Sequence, residues 1–151
     1  MSEMPYKIGV VGNVHFDNIS IVDQKMESLY SIFGRFILVS GHALGMNSVD
    51  ERAEVWAKKK GLETDIREPE TRNRPGFFAR NKEIALASNF LLAFINEKMY
   101  KCGAWNTIKF LVEKEHDNSF AIIDEKGNVW DEKDYPDWLT KRLVVKDERR
   151  F

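Results

Sequence analysis

Three observations predict an α/β fold built on a mostly parallel sheet of about five strands. Short apolar runs of strand length alternate along the chain with segments whose apolar residues recur at helical spacing. The helical segments are about ten residues or longer, as the crossovers between parallel strands require. The strand runs themselves carry apolar residues at consecutive positions, the pattern of strands covered on both faces.

Taken in order, residues 7–12, KIGVVG, form a buried strand that runs into a loop. Val22, Met26, Leu29, Tyr30 and Phe33 then share a helical face, with Ser20 as N-cap and Gly34 just past the end. Residues 36–40 are a second strand. The helix after it has Val49, Ala53, Trp56 and Ala57 on its inner face, opens with a Ser48/Glu51 capping box and stops at Gly61. Residues 63–67 suit a third strand, 78–88 a helix and 89–95 a fourth strand. Trp105, Ile108, Leu111 and Val112 mark the last amphipathic helix, followed by a fifth strand at 120–123. Parallel crossovers are right-handed almost without exception, so the pattern amounts to a doubly wound, Rossmann-like three-layer sandwich over residues 1–124. Residues 125–151 form a short C-terminal extension, with a turn at 125–128, a return strand at Val129 and Trp130, and a short helix from Pro136 that carries Trp138 and Leu139. Its two tryptophans pack either onto the domain or against a second subunit, which leaves a homo-oligomer open.

Length and composition agree with one domain. At 151 residues, 43% hydrophobic and 31% charged, the chain resembles an ordinary globular protein. Its longest apolar run, 90–95, is too short to cross a bilayer, and no signal-peptide pattern opens the sequence, so a cytoplasmic protein with no membrane partner is expected. A lone cysteine, Cys102, and histidines only at 15, 42 and 116 offer no metal-ligand spacing, and neither a metal nor another cofactor is expected. A net charge of −1 argues against nucleic acid as a partner. The basic exception is residues 67–82, where Arg67, Arg72, Arg74, Arg80 and Lys82 face only Glu68 and Glu70.

In an open parallel sheet, ligands bind outside the carboxyl ends of the strands. Four segments lead there: 12–17, 41–47, the arginine-rich segment with Arg80 and Asn81, and 96–107. In the second, Ser40 and His42 flank Gly41, and Gly45 and Asn47 precede the capped helix; glycines at a helix start serve either a tight turn or close approach of an anion. Gly103, Asn106 and Thr107 repeat the arrangement after the fourth strand, and Gly12 ends the first. Arg80 offers a planar fork of donors to a phosphate, and Asn81 an amide to a hydroxyl or a loop carbonyl. Cleavage of a glycosidic bond needs a carboxylate, for which Asp50, Glu51, Glu54 and Glu83 are available. Glu83 is preferred and Asp50 second, although Asp50 and Glu51 are equally explained as first-turn acids that complement the helix dipole. His42 and His15 are loop histidines able to titrate near neutrality, Trp105 either stacks on a nucleobase or, as its spacing with Ile108 and Val112 favours, packs in the core, and Cys102 has no paired histidine.

The order Ser-Gly-x-Ala-x-Gly after a strand, Ala-Glu-x-Trp-Ala in the next helix, Arg-Asn-x-Glu-Ile, then a hydrophobic strand and a Gly-x-x-x-Thr-Ile helix start resembles the SLOG superfamily over residues 7–123. The chain is most similar to its small stand-alone YspA-like members, relatives of DNA-processing protein A and of the LOG-type phosphoribohydrolases. The resemblance implies a Rossmannoid domain for nucleotides or nucleotide-derived molecules, some members cleaving N-glycosidic bonds and others sensing ligands. Two departures are plain. Residues 41–47 lack one glycine, the arginine and the final aspartate of Gly-Gly-Ala-Arg-Gly-x-Asp, and 102–107 lack Pro-Gly-Gly-x-Gly-Thr-x-x-Glu, with Phe110 where the glutamate would stand. The expectation is a binder of a nucleotide-derived small molecule that acts as a sensor or sequestering module. Gly12, Gly41, Gly45 and Gly103 would shape its site, Arg80 would meet phosphate, and Asn47, Asn81, Asn106 and Thr107 would meet polar groups. The alternative is an N-glycoside hydrolase or transferase acting on nucleoside phosphates through Glu83 or Asp50. Single-stranded DNA binding would need a larger basic groove than residues 67–82 provide.

Overall fold

A computed structural model describes residues 6–12, 16, 18–42, 48–96, 103–115 and 119–140. Its elements are β1 (Lys7–Gly12), α1 (Ser20–Phe33), β2 (Ile37–Ser40), α2 (Val49–Lys59), β3 (Thr64–Ile66), α3 (Arg74–Ala87), β4 (Phe90–Phe94), α4 (Gly103–Glu115) and β5 (Phe120–Ile123). The strands form one five-stranded sheet in the order β3-β2-β1-β4-β5. Every pairing in it is parallel, with Ile8 opposite both Leu38 and Phe90, Leu38 opposite Thr64, and Leu91 opposite Phe120. The expected mostly parallel sheet is therefore wholly parallel.

Side chains alternate across a strand, so successive apolar residues enter opposite cores. Ile8, Val10, Leu38, Leu92 and Phe94 pack with Val22 and Met26 of α1 and Trp56 of α2. Val11, Val39, Leu91, Ala93 and Ile95 pack with Ile84 of α3 and with Trp105, Ile108 and Leu111 of α4. The helix pairs are also tied laterally on the first face. Trp56 Nε1 donates to Glu27 Oε1 at 2.9 Å, and Arg52 forms a two-pronged bridge to Asp23 at 2.6 and 3.0 Å.

Two helix starts differ from the sequence-based expectation. Ser20 does not cap α1: the N-cap position is Ile19, with helical backbone angles, and the Ser20 hydroxyl donates to Asn18 Oδ1. The third helix begins at Arg74, four residues before the expected 78, because the Asn73 side chain accepts the Gly76 N–H at 2.9 Å and Pro75 supplies a helix-ready φ in the first turn. At the other ends the punctuation is as expected, with Gly34 and Gly61 both at φ +72°.

The extension closes over the α3–α4 face. Asp124 Oδ1 accepts the N–H groups of Lys126 and Asn128, turning the chain so that Val129 bridges antiparallel to Ile123 and the Trp130 N–H reaches Ile122 O at 2.9 Å. Trp130 and Trp138 then each stand 5.9 Å, centroid to centroid, from Trp105. Both tryptophans make contact with the domain. No helix among the described residues is long and apolar enough to cross a membrane.

Candidate functional site

At the centre of the sheet β1 and β4 are neighbours, yet β1 leads to β2 on one side and β4 to β5 on the other. The carboxyl edge between them is therefore the topological switch point, the place where open parallel sheets hold their ligands. Gly12 closes β1 directly beneath α2, where an added Cβ would overlap the branched side chain of Val49. Here the glycine serves helix-on-strand packing.

The end of β2 is gripped from both sides. Ser40 is fully buried; its carbonyl accepts the Arg67 N–H at 2.7 Å, its hydroxyl donates to Glu54 Oε2 at 2.8 Å, and the same oxygen accepts the His42 N–H at 3.1 Å. Glu54, one turn beyond Asp50 on α2, also takes the His42 ring, with Nδ1 2.8 Å from Oε1 and 3.1 Å from Oε2. His42 sits at φ +52°, a left-handed conformation that among the described residues it shares only with glycines. Its side chain is 33% exposed and that of Glu54 18%. The Glu54 hydrogen bond holds the imidazole pKa above its ordinary value; burial opposes this, and the charges of Glu54, Glu68 and Glu51 reinforce it.

On the opposite face, Arg80 of α3 donates from Nη1 to the Gly41 carbonyl at 2.8 Å and from Nε to Asn81 Oδ1 at 2.9 Å. Asn81 Nδ2 passes the chain on to Asn106 Oδ1, 3.0 Å away in the first turn of α4. Gly41 has no room for a side chain, since a Cβ would lie 2.7 Å from Arg80 Nη1 and 3.0 Å from Ile84 Cδ1. The guanidinium lies over the Phe77 ring at 5.7 Å, and desolvation pulls its pKa down, with the charge of Asp50 acting upward and that of Arg72 downward. A continuous polar line thus runs from the end of β2 across α3 to the start of α4.

The remaining expected residues are distributed unevenly along this edge. Gly103 opens α4, where a Cβ would come within 3.3 Å of Asn81 Nδ2. Thr107 is fully buried and its hydroxyl donates back to Gly103 O at 2.9 Å, so its donor is spent inside the helix. Asp50 is buried in the first turn of α2, whereas Glu83 is exposed on α3, where its charge acts on Arg67. Arg67 itself pairs with Asp65 through two nitrogens at 2.8 and 3.0 Å. Gly45, Asn47, His15 and Cys102 lie outside the described residues. The sequence offered Glu54 as one carboxylate among four; its pairing with His42 depends on how α2 docks against the end of β2, which no local pattern encodes. Among the described residues no cluster of histidine, cysteine and carboxylate side chains could hold a metal ion. Compared with protein families, with curated proteins and with solved structures, the chain matches none.

Proposed function

We propose that this protein is a SLOG-type domain that binds a nucleotide or nucleotide-derived small molecule at the carboxyl edge of its sheet and acts as a sensor or sequestering module. The observation that carries this reading is the polar line along the carboxyl edge of the sheet: Gly41 O, Arg80, Asn81 and Asn106 joined by successive hydrogen bonds. Arg80 uses Nη1 and Nε within this line, and a guanidinium has five N–H donors, so it retains donors for an anionic group while its orientation is already set. Such preorganisation lowers the ordering cost of binding. The resemblance of the strand, loop and helix order to the SLOG pattern points to the same ligand class.

Mass spectrometry of small molecules released from the purified protein, followed by calorimetry with the four ribonucleoside 5′-monophosphates, tests the reading. A ligand supplied at about a hundred times its Kd should stabilise the fold by about 2.7 kcal/mol, visible as a raised melting temperature. If no nucleotide, nucleoside or derivative is retained or bound, the reading falls. Chromatography of the same mixtures separates binder from hydrolase: a binder returns the nucleotide intact, whereas free base released at a rate that vanishes in Glu83→Gln or Asp50→Asn would establish the N-glycosidase alternative.

A further inference from the structure

We infer that His42, clamped by Glu54, is the residue through which the site recognises an uncharged hydrogen-bond acceptor of its ligand, a ring nitrogen or carbonyl oxygen of a heterocyclic base, and that this contact is proton-linked. The inference rests on the nucleotide reading above and adds to it which end of the ligand lies against which side of the β2 terminus.

Three features converge on this residue. The backbone is held at φ +52°, an energetically disfavoured state for a residue with a side chain, which persists only where the surroundings impose it. Three contacts impose it: Ser40 Oγ takes the His42 N–H, Glu54 takes the ring, and Arg80 holds the carbonyl of the preceding Gly41. Second, the ring is fixed and yet a third exposed, so it is ordered without being sealed into the core. Third, Nδ1 is committed to the carboxylate, which leaves Nε2 as the ring nitrogen available to a ligand.

Charge decides what Nε2 meets. The groups whose charges reach His42 are Glu54 and Glu51 from α2 and Glu68 from the segment after β3, all negative, with Arg80 of α3 on the far side of Gly41. An imidazolium among carboxylates is a good proton donor but a poor seat for a phosphate, because those carboxylates repel the added anion. Arg80 is the basic side: Asp50 and Arg72 both act on it with opposite sign, and its guanidinium keeps N–H donors beyond those given to Gly41 O and Asn81. The phosphate end of a nucleotide therefore belongs to the Arg80 side and the uncharged base to the His42 side. Protonated, Nε2–H donates to the base; deprotonated, it cannot.

Nuclear magnetic resonance titration of the imidazole nitrogens, in the 151-residue chain with adenosine, guanosine, cytidine and uridine, with their 5′-monophosphates and with inorganic phosphate, tests this. The nucleoside or nucleotide that binds should raise the His42 titration midpoint, and its affinity should fall by up to about tenfold per pH unit above the midpoint of the free protein. Inorganic phosphate should leave that midpoint unmoved. His42→Asn, which tolerates the left-handed backbone but does not titrate, should abolish the pH dependence of affinity, and Glu54→Gln should move it to lower pH by removing the charge that holds the proton. Glu54 is thus a positioning residue. Nucleotide binding that is independent of pH, with the His42 midpoint unchanged, overturns the inference and leaves the proposed function standing. A midpoint moved by inorganic phosphate and not by nucleosides overturns it in favour of an anion contact. Absence of any nucleotide or nucleoside binding overturns both.

Discussion

Arg80 shows how one side chain can tie distant parts of the chain together. Its bond to the Gly41 carbonyl spans 39 positions of sequence, and its Nε fixes the Asn81 amide that meets Asn106. Arg80→Ala should lower stability by about 1–3 kcal/mol, because its acceptors lose a charged donor, so under the proposed function any loss of nucleotide affinity must be read beside a urea unfolding curve. Arg80→Lys keeps charge without the fork and should lose the Asn81 contact first. His42 supplies a pH-dependent counterpart. Its pKa is raised in the folded state, chiefly by the Glu54 hydrogen bond, so its contribution to stability is complete below the ordinary histidine pKa and is lost as pH rises through the folded value. Asp65 has the opposite sign: Arg67, with Lys7 adding, depresses its pKa, and its contribution is lost as pH falls through the folded value. Urea midpoints measured across pH by tryptophan fluorescence should show His42→Asn flattening the alkaline decline and Asp65→Asn the acid one.

Among the elements, α3 is the one whose position matters most to the site, since it carries both Arg80 and Asn81 between the end of β2 and the start of α4. Its start is defined by Asn73, whose side chain accepts the Gly76 N–H, and Asn73→Ala should cost about 1 kcal/mol. Because α3 positions Arg80, the same change should speed amide exchange at Gly76 and Phe77 before it affects the sheet. An unchanged unfolding midpoint together with unchanged exchange would show that Pro75 alone sets the helix start. At β1, Gly12→Ala places a methyl against Val49 and should destabilise by about 1–3 kcal/mol through overpacking, with α2 and the Glu54 it carries displaced from the strand ends.

For the whole molecule, the extension is part of the second core and not an appendage to it. Trp130 is 7% exposed and packs with Trp138, Leu139 and Tyr135 against Trp105 and the α4 face. Trp130→Ala should therefore cost about 3–5 kcal/mol, the range for deleting a buried large aromatic side chain. Truncation after residue 124 should do at least as much and should expose Trp105 to solvent, seen as a red-shifted emission. A truncated chain with the stability of the full one would assign the extension to a separate role.

The sequence by itself determined the layered α/β architecture, because apolar runs at consecutive positions and helical stripes follow directly from which faces must be buried, and KIGVVG and FLLAF are short runs, apolar on both sides, that alternate with longer helical stripes. It determined the ends of α1 and α2 for the same kind of local reason, glycine at positive φ, and it placed Ser40, Gly41, His42, Arg80 and Asn81 at the carboxyl edge once the strand order was supposed. It misplaced the start of α3 because Pro75 and Gly76 read as breakers, whereas the Asn73 cap turns them into a first turn. The structure alone decided the partnerships. Glu54 and His42 are 12 positions apart, Arg80 and Gly41 39, and Asn81 and Asn106 25, and each pair meets only because parallel crossovers return every helix N-terminus to the same edge. Hydrophobic periodicity is a property of a few adjacent residues and survives in one dimension. A hydrogen bond between two loops is set by the docking of whole elements, and that is determined by the packed core.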